Sequence, residues 1–299
     1  MEKASKIKNK FSLFNAIVCA ILVVYSITIL FSIYFVLVSA VKTDNGFDKN
    51  VFGLPLNGTF TFKNITDILD RRLRVNQNGN SLFIYIFPEV LTYTLLYTLG
   101  SSFMAAVVPC VTAYFAAKYN YKFSGLLVAT VVAVMIIPIV GNIPATMKLL
   151  DTLHLNGKIY SLWIMKGNFV NMWFLVFYAA FKSVPNDYME AAYIDGASEL
   201  MVMVRVMMPL VKTTFLTIIL IFFVDLWNDY QTPLLFTPGY PTLAKVVFDY
   251  SQANGVPANF ATAPYKMAAC ALMVVPTIVI FIVFRDKLMG NLTMGGIKG

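Results

Sequence analysis

Six apolar runs alternate with more polar intervals along the chain, at roughly 16–41, 91–117, 124–144, 159–181, 211–236 and 266–284. Each is long enough to cross a bilayer core, which takes about 20 helical residues. Backbone groups in hydrocarbon must be bonded within their own segment, so every run is predicted to be a helix. The pattern gives an all-α integral membrane protein with six transmembrane helices. "SLFIYIFPEV" at 81–90 reads two ways: it lies in the interface, or it extends the second helix with Pro88 as a kink. The first run follows Lys3, Lys6, Lys8 and Lys10 and ends near "VSA". It exceeds the core of a signal peptide, about 7–15 residues, and is expected to stay as a first transmembrane helix.

Composition agrees. Of 299 residues, 59% are hydrophobic and 13% charged, against about 25% charged in soluble domains. The net charge of +8 is spread over loops, which fits membrane topology and contact with anionic lipid and excludes a nucleic-acid partner. Six spans put both ends on one side. The short basic ends, with Lys118 and Lys122 in a tight loop, place that side in the cytoplasm. The loop at 182–210 is then inside, and those at 42–90, 145–158 and 237–265 outside. The basic residues of 42–90 are balanced by Asp44, Asp48, Asp67, Asp70 and Glu89. The organisation expected is an N-terminus and first helix at 1–41, an outer loop at 42–90, a five-helix core at 91–288 and a cytoplasmic tail at 289–299.

Reaction chemistry is absent from the pattern. Cys19, Cys110 and Cys270 lie inside apolar runs and read as reduced thiols. His154 is the only histidine, so no metal site is expected, and no nucleophile–base set points to an enzyme. No GxxxxGK[ST] phosphate loop occurs. Any work driven by ATP therefore needs ATP-Mg bound by another chain, and no cofactor is expected on this one.

A charged stretch, "EAAYIDGASELMVMVRVMMPL" at 190–210, stands between the fourth and fifth apolar runs. Asp187 is expected to cap a helix, with Glu190 three residues on completing a capping box. That helix is expected to end at Asp195–Gly196, where glycine takes the left-handed conformation. Ser198 would cap a second helix carrying Met201, Met203, Met207 and Met208, and Pro209 would close it at Met208. The product is a helix, a glycine turn and a helix. The bland alternative is a capped amphipathic hairpin resting on the membrane.

Glu190-Ala191-Ala192, three residues, Gly196, nine residues, then Val206-x-Met208-Pro209 resembles the EAA loop of bacterial ABC-importer permeases. The family pattern ends in Ile-x-Leu-Pro, so Val206 and Met208 keep its apolar character. "AYFAAKYNYKFSG" at 113–125, "LWNDYQTPLLF" at 226–236 and "NLTMGGIKG" at 291–299 are similar to MalG-type carbohydrate permeases with the MetI-like core of type I importers. The resemblance implies a coupling helix docked in a cleft of a cytoplasmic ATPase. It implies a second, MalF-type permease subunit, two ATPase subunits and an extracytoplasmic solute-binding protein. On that reading Gly196 permits the turn, Glu190 and Asp195 belong to the loop, the methionine face helps fill the cleft, and Gly295 and Gly296 of the tail touch the ATPase. The solute implied is a carbohydrate, favouring an oligosaccharide. A polyol, a glycerol phosphate or a peptide stays open.

Asp225, Asn228 and Asp229 stand in the fifth run beside Trp227 and Tyr230. A charge at a helix centre costs about 2.5–3.5 kcal/mol by insertion scales and turns toward an interior or a wet cavity. Asp225, Asn228, Asn142 and Asn171 are candidate pore-lining groups. Asp229 and Tyr230 read as interfacial, and Tyr93 and Tyr97 as packing groups. An ion-coupled secondary transporter would instead need a paired intramembrane charge relay.

Overall fold

The computed structural model describes residues 13–55, 58–70, 73–77, 81–119, 124–137, 141–252 and 260–292. The chain begins with α1 (Leu13–Ala40), followed by α2 (Asp44–Lys49), α3 (Lys63–Asp70) and a hairpin of β1 (Leu73–Gln77) and β2 (Ser81–Tyr85). Then come α4 (Phe87–Lys118), α5 (Ser124–Ile136), α6 (Ile143–Thr152), α7 (Ile159–Lys166), α8 (Met172–Ser183) and α9 (Asp187–Ile194). One helical stretch joins α10 (Glu199–Met201), a π-helical segment (Val202–Met207) and α11 (Met208–Leu210). Last come α12 (Lys212–Trp227), α13 (Gln231–Phe236), α14 (Leu243–Gln252) and α15 (Ala263–Leu292).

The fold is helical as expected, apart from the antiparallel hairpin, which pairs Leu73 with Tyr85 and Gln77 with Ser81. Neither reading of 81–90 holds in full: 81–85 is a strand and Pro88 opens α4 in its first turn instead of kinking it. Proline suits that position because its missing N–H has no partner there anyway.

α4 is the shaft of the molecule. Its buried positions Val90, Thr94, Tyr97, Ser101, Ala105, Pro109, Ala113 and Ala116 recur every three or four residues over its length. Small side chains on that face let neighbouring helices approach closely, which is how helices associate in lipid. α4 contributes to all three buried clusters. One holds Cys110 and Tyr114 with Phe174, Phe177 and Phe181 of α8. The second holds Val90 with Trp227, Tyr250 and Ala268, and the third Tyr97 with Leu150, Leu162 and Phe236. At Gly100 the approach is so close that a Cβ would lie 2.3 Å from the Trp163 indole of α7, whose Nε1 donates to the Leu96 carbonyl at 2.9 Å.

Among the described residues, 14–40, 87–118 and 263–283 form uninterrupted helices long and apolar enough to cross a membrane, and the bent pair 199–210 and 212–227 makes a fourth at most. The remaining predicted spans are interrupted. α5 has 13 residues, and the residues after it at 138–140 lie outside the described part. The run at 159–181 breaks between α7 and α8. There Gly167 donates to the Trp163 carbonyl at 3.1 Å, Val170 N–H to Asn168 Oδ1 at 2.8 Å, and Asn171 Nδ2 to the Asn168 carbonyl at 2.6 Å. The asparagines thus satisfy backbone groups that the break frees, the condition for irregular backbone at membrane depth. The run at 211–236 breaks at Asn228–Tyr230 between α12 and α13.

Residues 42–70 form a compact knot. Asn64 is buried and its Nδ2 donates to the carbonyls of Ala40 and Lys42 at 2.9 and 2.7 Å. Lys42 Nζ donates to the carbonyls of Asn50 and Val51 at 2.8 and 2.9 Å. Tyr265 ties α15 to this knot by donating to Asp67 Oδ2 at 2.6 Å.

Candidate functional site

The stretch 182–210 folds as helix, turn, helix, with a different cap from the one expected. The N-cap of α9 is Asn186, in helical dihedrals and without a side-chain cap bond. Asp187 already lies in the first turn, and among the described residues nothing bonds the exposed Glu190 carboxylate, so no capping box forms. Asn186 is instead engaged from outside: Lys118 Nζ donates to its Oδ1 at 2.9 Å and to the Val184 carbonyl at 2.5 Å. An acceptor already used by an ammonium is not free to fold back onto its own helix.

The turn is as expected. Gly196 has φ +81. Its N–H donates to the Tyr193 carbonyl at 3.0 Å and the Ala197 N–H to the Ala192 carbonyl at 3.0 Å. This is the paired bonding of a Schellman C-cap, which needs a left-handed residue where glycine stands. Ser198 is extended and its hydroxyl accepts from Met201 N–H at 3.4 Å, opening the second helix.

Pro209 does not close that helix at Met208. Met208 is helical, at φ −62 and ψ −41, and its N–H bonds the Met203 carbonyl five residues back. The wider π turn moves the preceding carbonyls off the proline ring, removing the clash that normally breaks a helix. The chain bends two residues later, at Val211, by 77°. Behind the bend lies an apolar pocket of about 290 Å³ between Cys110, Val204, Met208, Pro209, Val211, Lys212 and Phe215.

Met207 is fully buried, Met203 and Met208 are half-buried, and only Met201 of the four is exposed. The methionines therefore pack largely into the bundle. The apolar groups presented outward are Ile194, 86% exposed, and Leu200, 67% exposed, with Tyr188 and Val204. Ala191 and Asp195 are exposed, and Ala192 and Val206 pack against the bundle. Two apolar side chains flanking a glycine turn would have signalled a docking tip in the sequence. Gly295 and Gly296 lie outside the described residues.

A second polar constellation joins the two helix breaks. Asp229 Oδ2 accepts from Tyr97 at 2.7 Å and from Thr232 Oγ1 at 2.6 Å, with Lys166 Nζ at 3.4 Å. Its Oδ1 accepts from Thr232 N–H at 3.0 Å. Asp229 is thus not plainly interfacial, and Tyr97 is not only a packing group: together they pin α7 and α13 to α4. A lysine stranded in an apolar run, and a threonine three residues after the aspartate, were the signals for this knot. Tyr93 sits edge-on to Tyr240, 5.1 Å between centroids.

The four candidate pore-lining residues are not brought together by any recorded contact. Asp225 is exposed on α12 and unbonded among the described residues. Asn228 Nδ2 donates to the Val224 carbonyl of its own helix at 2.7 Å. Asn142 is exposed at the start of α6. Asn171 caps α8, its Oδ1 accepting from the N–H groups of Trp173 and Phe174 at 2.9 and 3.2 Å. No group of three or more metal-ligating side chains occurs among the described residues.

Comparison with known proteins is consistent across sequence and fold. The melibiose/raffinose/stachyose import permease MelC of Bacillus subtilis is 26% identical over 69% of this chain and 74% of its own length. The arabinooligosaccharides transport system permease AraQ of the same organism is 23% identical over 97% of this chain and 98% of its own. The maltodextrin transport system permease MdxG, also from Bacillus subtilis, is 26% identical over 93% and 94%. The fold matches a chain in the crystal structure of a bacterial ABC transporter involved in import of the acidic polysaccharide alginate. The TM-score is 0.77 at 19% identity, over 93% of this chain and 97% of that one. Residues 109–289, which hold the loop at 182–210 and both helix breaks, match the family described as the inner membrane component of binding-protein-dependent transport systems, and the chain belongs to that family.

Proposed function

We propose that this chain is the non-catalytic permease subunit of an ATP-driven carbohydrate importer, with an oligosaccharide as the solute. The three relatives named above are permeases for oligosaccharides by their descriptions. The observation that carries the reading is the loop at 182–196. It is short, bonded at its base by Lys118, turned by Gly196 and tipped by Ile194. An 86% exposed isoleucine beside ordered helix ends is suited to a partner's cleft. The partner is a cytoplasmic ATPase, present in two copies, which binds ATP-Mg. Glu190, exposed and unbonded among the described residues, is a contact for that ATPase instead of a cap. A second, MalF-type permease completes the pore, and an extracytoplasmic binding protein delivers the solute. Both termini and the loop at 182–210 face the cytoplasm, and 42–90 faces outward. Asp225 lines the pore: a bare carboxylate on an apolar helix needs a wet surface or a polar partner.

Affinity purification in mild detergent tests this directly. Co-purification of an ATPase and a second permease supports it, and purification as a lone chain with solute transport intact overturns it. One observation favours a second reading: Lys166 and Asp229 form the intramembrane ion pair that an ion-coupled carrier would need. That reading predicts transport without an ATPase.

A further inference from the structure

Consecutive residues at the end of α4 hold the two ends of α9. Lys118 binds the Val184 carbonyl and the Asn186 side chain at the N-cap. Tyr119 shares a hydrogen bond of 3.2 Å with the hydroxyl of Tyr193, in the last turn. α9 has 8 residues, about 12 Å at 1.5 Å per residue. It therefore lies as a bar across the end of α4, fastened at both ends.

The covalent links to α9 are poor guides to its direction. On one side Val184–Asn186 is a three-residue link containing Pro185. On the other, Gly196 is a single left-handed residue with open space where a Cβ would stand. The side-chain bonds add to the packing of buried Met189, and of Ala192, in the cluster that Tyr114 of α4 shares. Hydrogen bonds from an ammonium are roughly twice as strong as neutral ones, and Lys118 makes two. The same α4, six turns earlier, carries Tyr97, bonded to the Asp229 knot.

We propose that Lys118 and Tyr119 are positioning residues that make α4 the element carrying motion between the Asp229 knot and the docking loop. The helices flanking that loop in sequence, α8 and α12, are then followers. This rests on the coupling role proposed above for 182–196. It gives Lys118 a purpose beyond marking the cytoplasmic side.

The assembled complex, with its ATPase and binding protein, is the object to test in proteoliposomes. Lys118→Met and Tyr119→Phe should each reduce the ATP hydrolysis stimulated by loaded binding protein, and the double variant should reduce it at least tenfold. The ATPase should still co-purify, because neither residue lies on the exposed tip. Lys118→Arg should recover most of the stimulation, since guanidinium also offers several donors. Wild-type stimulation in the double variant overturns the proposal, as does a Lys118→Arg variant no better than Lys118→Met. A second measurement replaces the lost bond with a link: cysteines at positions 119 and 193 remove the tyrosine bond and should lower stimulation by themselves, and a flexible thiol cross-linker between them should restore it because the two move together. Stimulation abolished by the cross-link means α4 and α9 part during the cycle, which also overturns it. If instead the wild-type chain binds no ATPase, the coupling reading itself has failed, an outcome visible before any variant is made.

Discussion

Replacing Gly196 separates backbone geometry from steric crowding, because a Cβ there meets nothing within 4 Å. Within this chain, any effect of substitution on the turn must then come from φ +81. A left-handed L-residue costs about 1–2 kcal/mol, and alanine returns about 0.4–1 kcal/mol by narrowing the unfolded ensemble. The net cost of Gly196→Ala is on the order of 1 kcal/mol, a several-fold loss in the population of the turned loop. Asparagine tolerates this region, so Gly196→Asn should cost less. Valine is a true outlier at positive φ, and Gly196→Val should lower the turned population more than tenfold. Stimulated ATP hydrolysis in the reconstituted complex should rank glycine, asparagine, alanine, valine, with each variant inserted to the same level. Equal stimulation across the series would refute the link between this turn and coupling, and a valine variant better than alanine would refute the backbone argument.

Gly100→Ala should destabilise the α4–α7 crossing, seen as a lower melting temperature in detergent, because its Cβ would stand 2.3 Å from the Trp163 ring. Tyr97→Phe removes one donor from the Asp229 carboxylate and should cost about 1.5–3 kcal/mol, the range for bonds to charged groups. For the same reason Asp229→Asn should lower stability more than Asp225→Asn, as read from thermal unfolding of the two variants. A cysteine at Ser198 should react with an impermeant thiol reagent only after permeabilisation, and one at Lys49 should react on intact cells.

Much of the fold was legible because membrane depth leaves the backbone few choices. The first, second and last apolar runs became α1, α4 and α15, as run length alone predicts. The run at 159–181 concealed a break, because asparagines at 168 and 171 bond the freed backbone locally while the surrounding composition stays apolar. The turn at Gly196 was readable from one residue type with one conformational privilege. The cap was not: Asp187 and Glu190 have the right spacing, but a lysine 68 positions away claims Asn186. Pro209 misled for a similar reason, since a local rule about proline does not foresee a π turn that relieves it. Asp229 and Tyr97, 132 positions apart, illustrate the limit: pairing across helices has no local signature, and the oddity of Lys166 in an apolar run and Thr232 three residues after Asp229 were the hints.

The most direct test of ATP-driven carbohydrate import is uptake into vesicles holding the purified complex. Labelled oligosaccharide, binding protein outside and ATP-Mg inside should give accumulation that stops when ATP is omitted, whatever the proton or sodium gradient. Accumulation that follows an imposed ion gradient without ATP would contradict the account and assign the Lys166–Asp229 pair to ion coupling.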